Sequence, residues 1–420
     1  MEQQKNFEHN PVLVSHVGRR DRYELAYALS LSGRPVHLVT DFYYQPGTVV
    51  GKIARAVFGK NIYKRHRPDL EVSVHSSILL FLLDFVERLL PRNKVVNRLR
   101  GYALGRLCLN VVKKHGITDA YVYYNSGAYS LINSKSPLRV TLFQMHPHPE
   151  ELVRIYHNYL SARPTLIDLL SHQEEELTKN CAYFDLLSRE AHIVDRVLCT
   201  SSFVKTTLLK AGVPDKKVTI IPYGVERRDS PTSSETVLSK GCGQAGIKLA
   251  FIGQFVVRKG IYELVRFASK QLEAEIIIFS READFAQATV EGWLGQIPQN
   301  VHFRRILDDK ILWEEAAKCD FLILPSLAEG YGLVLSEAMG HGLPVIATRN
   351  SAAPDLIVDG ENGFMMDAPF EEDITQAVRR ALDNQEVWPD LRKAAWKAVE
   401  HRNWHDFRGK MVEFSREDRV

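Results

Sequence analysis

The stretch AEGYGLVLSEAMGHGLPVIAT, residues 328–348, carries two glutamates, Glu329 and Glu337, with a glycine-rich turn between the first and the helix-like segment that holds the second. It comes straight after the apolar run FLILPS, which reads as a buried strand. Open α/β sheets bind ligands beyond the carboxyl ends of their strands, and a helix that starts there aims its positive end at anions. Carboxylates accept hydrogen bonds in pairs, and glycines let the backbone approach a ligand and offer its N–H groups. The competing reading is one glutamate at a helix N-terminus and one on the surface. It is the weaker reading for this spacing, turn and preceding strand. Arg258 and Lys259 follow FIGQFVV at a second strand-to-helix turn. Two cations there can stabilise negative charge on a bound anion, although such a pair is more often simply solvated. His146 and His148 lie at the end of a third strand-like run, in FQMHPHPEEL. Taken alone, either histidine is as well explained by capping that strand or packing on Pro147.

These residues need a scaffold. The chain has 420 residues, which sets a prior of about two domains. Its 45% hydrophobic and 25% charged content is ordinary for a globular protein with a sizeable core. A net charge of +3 does not point to nucleic acid. The five cysteines, at 108, 181, 199, 242 and 319, are far apart, odd in number and form no C-x-x-C pair. That argues against a disulfide framework or a structural zinc site and fits a reducing cytoplasm. The beginning, MEQQKNFEHN, is too polar for a signal peptide. The longest apolar run, residues 78–83, is cut by Asp84, far below the roughly 18 residues that span a bilayer. A soluble or surface-attached protein is expected.

Strand-like runs alternate with helix-like ones. They fall at residues 11–17, in RPVHLVTDF, and at 119–124, 138–145, 195–200 and 216–224; a second series covers 247–253, 274–280, 300–304, 321–325 and 343–347. Short connections between them imply βαβ units and parallel sheets. The Ser/Thr/Gly-rich segment 230–246 separates the two series and reads as a linker and candidate hinge. It contains Gly241-x-Gly243-x-x-Gly246, but a strand follows this match instead of preceding it, so a nicotinamide dehydrogenase is excluded. The expected boundaries are 1–229, linker 230–246, 247–400, and a terminal helix in 401–420 that crosses back to the first domain.

FIGQFVVRKG, the Glu-x7-Glu stretch and DGENGF (residues 359–364) together resemble the C-terminal domain of family-4 retaining glycosyltransferases. Residues 200–226 resemble the end of that family's N-terminal domain. The resemblance implies a GT-B fold, two doubly wound Rossmann-like domains facing a central cleft, and a nucleotide-sugar donor. It implies that Glu329 binds sugar hydroxyls and Glu337 the ribose hydroxyls. Gly330, Tyr331, Gly332 and Leu333 would line the donor, and Arg258, Lys259 and Gly18 would approach the diphosphate. His146, with His148 as fallback, would face the reacting sugar. Family members often carry Gly-Gly after the first strand, where this chain has HVGRRD, so Arg19 either adds a phosphate contact or blocks one. FSREADF and VHFRRIL depart from the family near the expected base pocket and leave the base open. The implied reaction is retaining hexosyl transfer to a hydroxyl acceptor by front-face substitution. No Asp-x-Asp motif is evident, and neither an essential metal nor another cofactor is expected.

Residues 51–116 hold fourteen Lys and Arg against four acids, a local +10. Within them, SSILLFLLDFVERLLPR shows Asp84, Glu87 and Arg88 as a polar stripe on an apolar helix. One reading is a buried helix with solvated flanks. The other is a segment drawn to anionic lipid, which would place the protein on the inner face of the cytoplasmic membrane with a lipid-linked or polysaccharide-precursor acceptor. No nucleic-acid module accompanies the basic segment. A catalytically inactive donor-binding scaffold and a GT-B nucleotide-sugar epimerase are the competing functions. The epimerase would leave the apolar, basic segment without a role.

Overall fold

The structure, a computed structural model, describes residues 10–417 apart from 49–50, 53–54, 57–58, 90–93, 135–136, 175–176, 178–181, 229–245, 282 and 306–307. The linker expected at 230–246 therefore lies outside the described residues except for Gly246.

The first half builds a seven-stranded sheet from β1 (Val12–His16), β2 (Val36–Thr40), β3 (Ser73–His75), β4 (Asp119–Tyr123), β5 (Arg139–Gln144), β6 (Arg196–Cys199) and β7 (Val218–Ile220). Its spatial order is β3-β2-β1-β4-β5-β6-β7, and every pairing is parallel. The second half builds a six-stranded sheet from β8 (Ile247–Ile252), β9 (Ala274–Ser280), β10 (Val301–Arg305), β11 (Phe321–Leu324), β12 (Val345–Thr348) and β13 (Gly363–Met366). The order is β10-β9-β8-β11-β12-β13, again all parallel. The apolar runs in the sequence become strands because helices cover both faces, so VLV in β1 and FLIL in β11 are buried throughout.

Each sheet reverses its strand order once, between β1 and β4 in the first and between β8 and β11 in the second. A crevice opens at the carboxyl ends of strands at such a switch point. Gly18 follows β1. Arg258 and Lys259 follow β8, and Glu329 follows β11.

The chain ends on helix Trp404–Arg416, started by a capping box between Asn403 and Asp406. This helix packs on helix Glu24–Ser30 of the first half. Arg408 grips Glu24 with two bonds of 2.7 and 3.1 Å, and Arg196 of β6 donates to the Phe414 carbonyl. The Tyr223 ring sits where the halves meet, in contact with Phe143, Tyr331, Trp404 and Phe407.

The polar stripe expected on the apolar helix turns inward at Asp84. On helix Ile78–Leu89, Asp84 is buried and pairs with Arg65 at 3.6 Å, while Ile78, Leu79, Leu82 and Phe85 are exposed. The side chains of Glu87 and Arg88 are outside the described set. The periodicity was sound, but the inward anchor is the Arg65–Asp84 pair and the outward face is apolar. The neighbouring helix Lys94–His115 adds exposed Val95, Leu99 and Tyr102. Among the described residues no helix is long and apolar enough to cross a membrane.

Candidate active site at the two switch points

Glu329 is the centre of the cluster. Its side chain is nearly buried behind the β11 turn. Arg258 donates to Oε1 at 3.0 Å, Ser326 donates to the same oxygen at 3.1 Å, and Lys259 Nζ approaches it to 2.6 Å. Burial alone would raise the carboxyl pKa; Lys259 and Arg258 outweigh it and hold Glu329 below its ordinary value, as an anion. Oε2 has no hydrogen bond to a described residue.

Arg258 is fixed on three sides. It donates to Glu174 Oε1 at 3.0 Å, to the Ala328 carbonyl at 3.1 Å and to Glu329. Glu174 comes from the first half, so this one guanidinium links both halves at the cleft. The turn that presents Arg258 and Lys259 ends in Gly260, at φ 73°. A Cβ there would stand 1.7 Å from the Pro325 carbonyl oxygen, so only glycine brings the cations this close to β11.

Gly330 is constrained in the same way from the other side. Its Cβ would stand 1.6 Å from the Met145 carbonyl oxygen at the end of β5. Ser201 donates to the Gly330 carbonyl at 2.6 Å. The turn is thus pressed against the segment that holds His146. Gly332, at φ 79°, caps helix Leu333–Gly340. Leu333 is exposed at its start, whereas the Tyr331 ring is buried against Tyr223. Any ligand contact from Tyr331 would have to come from its backbone.

The two histidines part company. His146 is open to the cleft, with its backbone held by the Gln144 amide at 2.9 Å. Partial desolvation by the surrounding protein disfavours the charged ring, and Arg20, Arg258 and Lys259 add positive charge. Together they lower its pKa to about 4 despite the Glu329 carboxylate. His148 is fully buried, with Nε2 3.0 Å from the Ser188 carbonyl, and it precedes helix Pro149–Ala162. Burial lowers its pKa as well. The fallback position is structural; only His146 reaches the cleft.

Glu337 lies one turn into helix Leu333–Gly340, half-buried, and its carboxylate has no hydrogen bond to a described residue. Burial raises its pKa, with Arg22 opposing and Asp309 and Glu226 reinforcing the rise. The Gly18 N–H donates to Asp41 Oδ1 at 2.9 Å. Asp309 acts on Arg19 across the cleft, and Arg22 pairs with Glu226 at 3.0 Å. Arg304 and Arg305 are exposed at the end of β10.

Sequence reasoning missed three parts of this site. Glu174 sits in the run QEEEL, whose spacing says nothing about which acid meets Arg258. Arg20 and Arg22 carry charge into the cleft without a motif. The third is backbone strain: Asp21, Arg22 and Tyr23 all have positive φ, at 38°, 52° and 64°. Three successive non-glycine residues in that region are unusual and tend to mark functional turns. Half-buried Asp21 accepts from the Tyr123 hydroxyl, and desolvation raises its carboxyl to about 7.

Two parallel doubly wound sheets, switch-point residues from both, and a terminal helix crossing back define the GT-B fold. A sucrose-phosphate synthase from Thermosynechococcus elongatus superposes with a TM-score of 0.68 over 97% of this chain and 98% of that one, at 16% identity. A protein of Anabaena in complex with UDP-glucose superposes at 0.58 over 96% and 98%, at 14% identity. Residues 246–384 match the family described as Glycosyl transferases group 1, so the second half is a glycosyltransferase group 1 domain. By sequence, D-inositol 3-phosphate glycosyltransferase of Corynebacterium diphtheriae is 30% identical over 205 residues, 45% of this chain and 47% of that protein. The chain spans about half the length, or less, of the curated relatives it matches.

Proposed function

We propose that the protein is a retaining glycosyltransferase that moves a hexosyl unit from a nucleotide-diphosphate sugar to a hydroxyl acceptor. The observation that carries this reading is the convergence of Arg258, Lys259 and Glu329 at the β8/β11 switch point, pressed through Gly330 against the segment of His146. In this reading Glu329 Oε2 takes sugar hydroxyls and Glu337 the ribose. Gly18 and the N-terminus of helix Leu333–Gly340 approach the diphosphate. The acceptor oxygen bonds to the anomeric carbon on the face from which the diphosphate oxygen departs, and that phosphate oxygen receives the acceptor's proton. Arg258 and Lys259 stabilise the charge that grows on the leaving group, and the rest of the site positions the two substrates. His146, neutral above about pH 5, packs and hydrogen-bonds rather than adding another cation. No step in this scheme requires a metal.

The acceptor side is assigned to the first half. Exposed Ile78, Leu79, Leu82, Phe85, Leu99 and Tyr102 share one helix pair within the +10 segment. Apolar side chains with basic neighbours fit an anionic lipid surface, where each basic residue adds about 1 kcal/mol. That surface supports the reading of a lipid-linked or polysaccharide-precursor acceptor met on the inner face of the cytoplasmic membrane. Sedimentation with anionic vesicles should be strong at low salt and weaken as salt screens the charge. No sedimentation at low salt removes the lipid part of the reading.

Transfer is tested by incubating the protein with labelled nucleotide sugars and hydroxyl acceptors and reading the product's anomeric configuration by NMR. The donor's configuration should be kept. Inversion would refute the front-face mechanism. Isomerised donor without transfer would indicate the epimerase.

A further inference from the structure

On the first sheet, away from the cleft, His37, His75 and His115 meet. One ring nitrogen from each lies within 4.8 Å of the other two. His37 Nδ1 and His75 Nε2 are 3.0 Å apart, and ring centroids are 4.1 Å apart for His37–His115 and 5.7 Å for His75–His115. We propose that these three imidazoles form a binding site for a transition-metal dication, Zn2+ by preference.

Strand register brings the ligands together. β2 and β3 pair in parallel with Val39 opposite His75. Side chains two apart on a strand share a face, so His37 lies on the same face as Val39 and its partner His75. Helix Lys94–His115 packs over β2, and its last residue delivers the third ring. A helix C-terminus favours positive charge, which partly offsets Lys113 and Lys114 at the same end.

The spacing is close to what a metal needs. With Zn–N bonds of 2.0–2.1 Å, ligand nitrogens in a tetrahedral site stand about 3.3–3.4 Å apart. The His37–His75 separation is already near that value, and modest ring rotation brings His115 in. An imidazole set selects Zn2+, Cu2+ or Ni2+ over Mg2+ or Ca2+. As a simple packed trio the arrangement is incomplete. His115 Nε2 is buried and has no hydrogen-bond partner, a state that costs stability and that a metal bond would relieve.

The location sets the role. His37 is near the amino end of β2, whereas Asp41, which holds Gly18, follows its carboxyl end. His115 precedes β4 at the amino end of that strand. The site therefore lies on the side away from the cleft. Bound metal would tie edge strand β3 and helix Lys94–His115 to β2, bracing the helix pair that carries the exposed apolar face. It is a structural brace, with water as the fourth ligand.

The test uses the full chain without a histidine tag. After dialysis against Zn2+ and removal of free metal, one zinc per chain is expected, with a higher melting temperature that a chelator reverses. Co2+ in its place should give the visible d–d bands of tetrahedral coordination. His75→Gln and His115→Gln, at partly exposed positions, should lose the zinc and the bands while metal-free melting stays close to the parent. Absence of d–d bands in the parent chain overturns the proposal, whatever the variants do. So does zinc retained equally by both variants.

Discussion

At the scale of single residues, the proposed reaction gives Glu329 two partners. Its Oε1 neutralises Arg258 and Lys259, and its Oε2 is left for a ligand. Glu329→Ala should therefore lower turnover roughly 100-fold or more, in the range seen when one group that stabilises a transition state is removed. Nucleoside-diphosphate affinity should hold or rise, since both cations are freed. Steady-state kinetics and calorimetry read the two quantities separately; near-normal turnover would take the role away from Glu329. Lys259→Ala should act in the opposite sense on binding. Losing one charge-assisted contact, about 1.5–3 kcal/mol, weakens nucleoside-diphosphate binding at least about 10-fold, and unchanged affinity would contradict the assignment. His16 makes stability depend on pH. Burial lowers its pKa from 6.5 to about 4, against the pull of Asp41. Between those values the unfolded chain binds the proton and the folded chain does not, so the His16 contribution to stability falls as pH drops from 6.5 towards 4. The urea midpoint of the parent should fall relative to that of His16→Phe across that range, and a constant difference between the two would contradict it. Arg258, Lys259, Glu329 and Glu337 were legible in the sequence because each sits in a short motif beside a strand end. Glu174 and the strained turn at Asp21 were not, because chain folding alone brings them to the cleft.

At the scale of elements, glycine geometry sets how closely the parts meet. A methyl group on Gly330 would overlap the Met145 carbonyl oxygen at 1.6 Å. Gly330→Ala must push the Glu329 turn away from the His146 segment. A loss of about 1–3 kcal/mol is expected for such overpacking, with a lower melting temperature and impaired transfer. A variant with parental melting and transfer would show that this contact does not set the site. Eleven of the thirteen strands were anticipated from apolar runs. β3, three residues reading SVH and half exposed, has no such run. β13 lies in GFMM, where glycine and the preceding DGENG turn mask the pattern. The helix Ile78–Leu89 was recognised, but the sequence left open whether its apolar face was buried or outward, because a sequence shows the period of a stripe and not the partner it faces. Arg65, the partner that turns Asp84 inward, is nineteen positions away.

At the scale of the whole molecule, the terminal helix and the Tyr223 contacts join two sheets that each supply half of the candidate site. The alternation of strands and helices made the two-sheet architecture readable in advance. The resemblance implied a central cleft and a terminal helix crossing back, but the contacts that join the sheets, Arg408 on Glu24 and Glu174 on Arg258, pair residues far apart in the chain and were not legible. A ligand that binds the folded protein alone raises its melting temperature by mass action, about 2.7 kcal/mol at a hundred times Kd. The decisive measurement is thermal melting against a panel of nucleoside diphosphates and nucleotide sugars, with the parent chain and Lys259→Ala side by side. One base should give a clear rise in the parent and a much smaller one in the variant. If no member of the panel shifts the parent, or if the variant shifts equally, the cluster at Arg258, Lys259 and Glu329 is not a donor site.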